Sequence, residues 1–217
     1  MSYSEHFFAL ELIYYYDTKV FKKGNGLLCL VVQNNEALFR AKQFDWPIKD
    51  EKRLIAPGGY IFQIVDRPLP KDKDPISKII ITSTNLQKSI RFWCGFLEMN
   101  IMVEKRHSIT LSYGKNQARL EIRYISPPFI QGDNTPRLKA VIPYKQLMEL
   151  QLKFLKMPNR IKQHTTIYAY TKPTNVKIAV FVDYDGHEIA YIDQESYAKV
   201  LKYDAESVKT LKLHVRL

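Results

Sequence analysis

Long apolar runs are missing from this sequence, and none approaches the ~20 residues that a membrane-spanning helix needs. The opening stretch MSYSEHFFALELIYYY has no basic segment leading into an apolar run and a small-residue cleavage site, so no secretory signal is read. Cysteine occurs twice, as Cys29 in LLCLVV and Cys94 in IRFWCGFL. Both read as buried reduced thiols, which fits an intracellular compartment, cytoplasmic or mitochondrial. Glycine is scarce, with 8 residues in 217. The PGGY turn is too poor in glycine for a phosphate-cradling loop, and it leads into a strand rather than a helix. Like-charged residues never form a block of five or more. The formal net charge of +11 is spread over VFKK, PKDKD, VEKRH, NRIKQ and VKTLKLHVRL, several of them beside acids. That scatter describes a generally basic surface rather than a nucleic-acid face.

Two patterns each occur twice. LELIYYY (10–16) resembles LEIRYI (120–125), and APGGYIFQIVD (56–66) resembles DYDGHEIAYID (183–193). In both halves the first pattern precedes the second, so the chain is read as an internal duplication. The stretch ISKIIITS (76–83) is a β-branched strand. A helix follows with Asn85 as N-cap and Leu86, Ile90, Trp93 and Leu97 at helical spacing. Three short strands come next, NIMVEKR, SITLSYG and ARLEIRYI. The order then repeats: strand RLKAVIP, helix YKQLMELQLKFLKM with Pro143 in its first turn, and strands HTTIYAYT, VKIAVFVD and HEIAYID. Upstream, GLLCLVV, NEALFRAKQF and GYIFQIVD form a further unit, and RPLPKDKDP (67–75) reads as a linker. Glu121 lies 43 residues after Lys78; at that spacing the opening strand matched to Glu11 falls about 30 residues before Met1. The first copy is therefore expected to be incomplete, as in a truncated isoform. The expected division is 1–68 (partial first copy), 76–194 (complete second copy) and 195–217 (C-terminal helical tail).

Repeated strand–helix–three-strand units closing in Leu-Glu-Leu and Asp-Gly-His-Glu-Ile strands resemble the vicinal oxygen chelate superfamily, which includes lactoylglutathione lyase, extradiol dioxygenases and antibiotic-resistance proteins. The resemblance implies an α+β fold of paired βαβββ units whose curved mixed sheets surround a cleft. Active members bind a divalent metal through the first and last strands of two units, with His or Gln and Glu as ligands. Carried onto this sequence, the opening-strand positions hold Lys78 and Arg137, and the closing-strand positions hold Glu121 and Ala190. In the first copy Glu11, Leu27 and Gln63 fall on such positions. Glu11, Gln63 and Glu121 are then vestigial metal positions, and no bound metal or other cofactor is expected. A divalent metal remains the alternative.

His187 and Glu188 are adjacent in a strand and point to opposite faces, so they cannot share one ion. His187 is assigned to the Asp-Gly turn. Lys78, Glu121, Arg137 and Glu188 are the candidate ligand-binding residues, with Lys78 and Arg137 pairing with Glu121 in place of the ion and Ala190 leaving space opposite. No catalytic residue is assigned. The expected function is a non-catalytic or metal-independent glyoxalase-like protein that binds a small anionic ligand, a protein partner or a second copy of itself. One alternative is a divalent-metal lactoylglutathione lyase-type enzyme; the other is a basic nucleic-acid or acidic-protein binder.

Overall fold

The computed structural model describes residues 10–11, 20–71, 74–115, 117–133, 136–171 and 174–201. Tyr14, Tyr15 and Tyr16 of the LELIYYY pattern and the tail beyond residue 201 lie outside these. The chain divides into two compact units, one ending at Thr135 and the other starting at Pro136.

Two βαβββ modules build the first unit. One runs β1 (Leu27–Gln33), α1 (Ala37–Gln43), β2 (Ile48–Asp50), β3 (Arg53–Ala56) and β4 (Tyr60–Val65). The other runs β5 (Ile76–Ser83), α2 (Leu86–Ile90), β6 (Asn100–Lys105), β7 (Ser108–Ser112) and β8 (Arg119–Tyr124). Within each module the first and last strands are parallel, β1 with β4 and β5 with β8. Between modules β1 and β5 pair antiparallel, giving one eight-stranded sheet in the order β2-β3-β4-β1-β5-β8-β7-β6. The β-branched run of β5 is buried over Ile79–Ser83 because this strand lies mid-sheet. Asn85 caps α2, its side chain accepting from the Lys88 amide at 3.0 Å. The helix continues as a wider turn over Arg91–Phe96, in which Phe92 and Trp93 are buried and meet edge to face.

The second unit contains the third module. Strands β9 (Arg137–Ile142), β10 (Ile161–Thr171), β11 (Thr174–Val182) and β12 (Glu188–Asp193) form a four-stranded sheet in the order β10-β11-β12-β9. Helix α3 (Tyr144–Phe154) sinks Leu147 and Phe154 completely, and Phe154 stacks on Phe181 at 3.8 Å between centroids. Pro143 sits one residue ahead of that helix, as its N-cap, and the Glu195 carboxylate accepts the Tyr144 amide left over there. The duplicated glycine turns are both present: Gly58 and Gly59 have φ of 78° and 77° ahead of β4, and Gly186 has φ of 93° ahead of β12. The chain is helical again over 194–201. Asp193 starts that helix by accepting from the Ser196 amide at 2.9 Å, and Tyr197 and Val200 pack on Val176, Ile178, Val180, Ala190 and Ile192.

The α+β vicinal oxygen chelate fold expected from sequence is present, with open curved sheets. Strand pairing groups the modules differently from the 1–68 and 76–194 division: residues 27–65 share a sheet with 76–124, while 137–193 form a sheet of their own. The cause is the β1–β5 pairing, which runs across the Pro-rich linker. Among the described residues no helix is long and apolar enough to cross a membrane.

Candidate functional site

One face of the eight-stranded sheet gathers the residues of interest. In the parallel β5–β8 register Lys78 stands beside Arg119, Ile80 beside Glu121 and Thr82 beside Arg123, so these side chains share a face. The β1–β5 and β1–β4 registers bring Val31, Cys29 and Gln63 onto the same face, and Arg53 stands opposite Gln63. Cys29, Val31 and Ile80 form its buried apolar floor, with Leu28, Ile61 and Val65 against them. A register shift between Leu27 and Cys29 puts Leu27 beside Ile81, so Leu28 lines the floor where the resemblance placed Leu27.

Glu121 is the centre of this face. Its carboxylate is buried, and each oxygen accepts from a different cation: Lys78 Nζ donates to Oε2 at 2.6 Å and Arg123 Nε to Oε1 at 2.5 Å. Burial pushes the Glu121 carboxyl up, but the hydrogen bonds from Lys78 and Arg123 outweigh it, and the group sits below the ordinary glutamate range. Thr110 faces it from β7. Cys29 Sγ lies 4.0 Å from Gln63 Oε1; burial pushes this thiol up, and the charges of Arg123, Glu121, Lys78 and Arg53 all reach it. Both cysteines are free thiols, Cys29 buried and Cys94 half-buried.

A second cluster of the same make-up lies on the four-stranded sheet. Arg137 donates to Glu188 Oε2 through Nε at 2.9 Å and Nη2 at 2.7 Å, and Lys162 donates to Oε1. Burial raises the Glu188 carboxyl, while Lys162 and Arg137 pull it down further, for a net lowering. Arg137 therefore pairs with Glu188 rather than with Glu121 as the sequence reading had it. The reason is register: β9 and β12 are parallel neighbours and place the two residues side by side. The space expected opposite Ala190 is filled by Val200 and Tyr197. His187 belongs to the turn, its amide donating to Asp183 Oδ1 at 2.9 Å and its carbonyl accepting from the Asp183 amide. Glu11 is exposed and lies outside any strand. Arg123 and Lys162, the second cation of each cluster, were missed. The alternation in LEIRY puts Arg123 on the Glu121 face and could have revealed it; Lys162 reaches Glu188 from two strands away, which no local pattern encodes.

Sequence-derived metal positions can be tested against this donor set. On the Glu121 face they supply an amide (Gln63), a hydrocarbon (Leu28, at the place given to Leu27) where an imidazole would stand, an ammonium (Lys78) and a carboxylate whose two oxygens already hold cations. No group of three His, Cys, Asp or Glu side chains converges among the described residues. Neutral imidazole or amide nitrogen with carboxylate suits a divalent transition metal, whereas an ammonium and a guanidinium at the carboxylate repel one. These residues do not fit a divalent ion.

Two βαβββ modules joined edge to edge around such a face define a vicinal oxygen chelate protein of the glyoxalase kind. Glyoxalase I from Zea mays has the same fold, with a TM-score of 0.70 at 20% identity, covering 86% of this chain and 74% of that one. A model of the glyoxalase domain-containing protein 4-like, C-terminal domain family matches residues 85–200, and the chain belongs to that family. Mouse (Mus musculus) glyoxalase domain-containing protein 4 is 29% identical over 95% of this chain and 71% of its own length. Glyoxalase 1 of Caenorhabditis elegans is 25% identical over 99% of this chain and 76% of its own.

Proposed function

We propose that this chain is a metal-independent, non-catalytic glyoxalase-domain protein that binds a small organic anion on the Glu121 face. The observation that supports this most directly is the placement of Lys78 and Arg123 on the two oxygens of Glu121. Two cations against one carboxylate leave a charge of about +1, and both cations are partly exposed, at 30% and 45%, above a carboxylate at 9%. An entering carboxylate would meet an ammonium and a guanidinium at its head, with Ile61, Val65 and Val31 beside its apolar part. Isothermal titration with short carboxylates such as lactate and pyruvate tests this. Binding by wild type and at least tenfold weaker binding by Lys78→Met is the expected result; equal heats from both proteins would overturn the reading. A protein partner or a homodimer is a further use of the same surface, read out by mass in solution.

The alternative reading is a divalent-metal lactoylglutathione lyase-type enzyme. It is favoured by relatives named Glyoxalase 1 and by Glu121 at a superfamily ligand position. Isomerisation of the methylglyoxal–glutathione adduct that rises with added zinc or nickel and disappears with EDTA would establish it over the binding reading.

A further inference from the structure

The Glu188 cluster on the four-stranded sheet has more positive charge than its fold requires. Glu188 is nearly buried, with its side chain at 5% exposure, and one hydrogen-bonded cation is enough to neutralise it. Arg137 already provides that neutralisation through two N–H groups on Oε2. Lys162 nevertheless reaches across from β10 to Oε1. The carboxylate is thus inside and the cations outside, with Arg137 at 37% and Lys162 at 51% exposure, so solvent meets a positive surface. The donors left over are arranged in a particular way. Arg137 has turned its Nε–Nη2 edge to Glu188, which leaves Nη1 facing away, and the Lys162 ammonium keeps two further N–H groups. The outer Nη1–Nη2 edge of Arg137 can still hold two oxygens of an arriving anion. A carboxylate spends both of its oxygens on that edge, whereas a phosphate has a further oxygen for the Lys162 ammonium, so a tetrahedral oxyanion suits the pair better.

We infer that Arg137 and Lys162, set on Glu188, form a second anion site that takes a phosphate group, either free or as a small phosphomonoester. The site lies in the other unit from Lys78, Glu121 and Arg123 and does not rest on the function proposed for that face. The test is a proton–nitrogen NMR titration of the full-length chain at constant ionic strength, with inorganic phosphate, glycerol phosphate and acetate as separate arms. Saturable shifts of the Arg137, Lys162 and Glu188 amides with both phosphates, at concentrations at least tenfold below any effect of acetate, are expected. Tighter binding of glycerol phosphate identifies an ester as the ligand, and tighter binding of inorganic phosphate identifies the free ion. Lys162→Gln leaves the Arg137–Glu188 pair in place and should weaken phosphate binding at least tenfold with the rest of the spectrum preserved. Absence of saturable shifts at these three amides, an acetate response equal to that of phosphate, or wild-type affinity in Lys162→Gln would each overturn the inference.

Discussion

If Lys78 and Arg123 act as a joint counter-charge for Glu121, removing either should matter little and removing both a great deal. Glu121 is the buried member and the cations are partly solvated. Lys78→Met leaves Arg123 on the carboxylate, and Arg123→Met leaves Lys78, so each single change loses a solvent-screened ion pair of ~0.5–1 kcal/mol. The double variant strands a buried carboxylate without a partner, which costs ~3–5 kcal/mol. The expected excess over the sum of the singles is therefore about 2 kcal/mol. Adding Glu121→Gln to the double variant replaces the stranded charge with an amide and should recover most of that loss. Urea unfolding followed by tryptophan fluorescence isolates the right unit, because Trp46 and Trp93 both precede residue 136 and no tryptophan follows it. A double variant equal to the sum of its singles within ~0.5 kcal/mol would show that the cations do not share the carboxylate, and the reasoning would fail.

Acid should weaken both units through their buried carboxylates. Glu121 and Glu188 are lowered from an ordinary value of 4.5, so their contribution is present above that pH and is lost as pH falls through the lowered folded values. Urea midpoints of wild type and of Glu121→Gln with Glu188→Gln should converge below pH 4.5; an undiminished gap there would contradict the assignment. Phe154→Ala removes a fully buried ring stacked on Phe181 and should cost ~3–5 kcal/mol in the second unit, seen by circular dichroism while the tryptophan transition stays in place. Val200→Asp puts a charge on the apolar face of Val176, Ile178, Val180 and Ile192 and should destabilise that unit by ~3 kcal/mol or more; wild-type stability would mean that the 194–201 helix does not hold that face closed.

Local features were readable from the sequence wherever one element determines them. Period-two alternation located the strands, Asn85 marked a helix start, and the glycine turns ahead of β4 and β12 were visible as a repeat. What escaped was partner choice. The β1–β5 pairing joins strands on either side of a linker that looks like a domain boundary, and nothing in LLCLVVQ or ISKIIITS states which strand lies next to which. The candidate site shows the same divide. The Lys78–Glu121 pair follows from β5 and β8 being first and last strands of one module, a relation that the repeat exposes. Arg137 was assigned to Glu121 because a paired set of units was taken from sequence order; once the modules regroup, its neighbour is Glu188.

That regrouping bears on why the charges are there at all. A buried ion cluster is a poor source of stability, since well-packed apolar side chains of similar volume commonly do as well or better. The Glu121 face has an apolar floor in Cys29, Val31 and Ile80 that an isoleucine at 121 would extend without cost in hydrogen bonds. The same holds for Glu188 beside Ala190, Ile192 and Val180. Stability alone therefore gives no reason for either carboxylate, and still less for a second cation at each. In both units the carboxylate faces inward and holds two long, flexible cations that stand partly in water. Such a carboxylate aligns donors that would otherwise move freely, lowering the ordering entropy that an arriving anion must overcome. A positioned and over-balanced positive surface is what recognition of an anion requires, and it is the feature that the two units share.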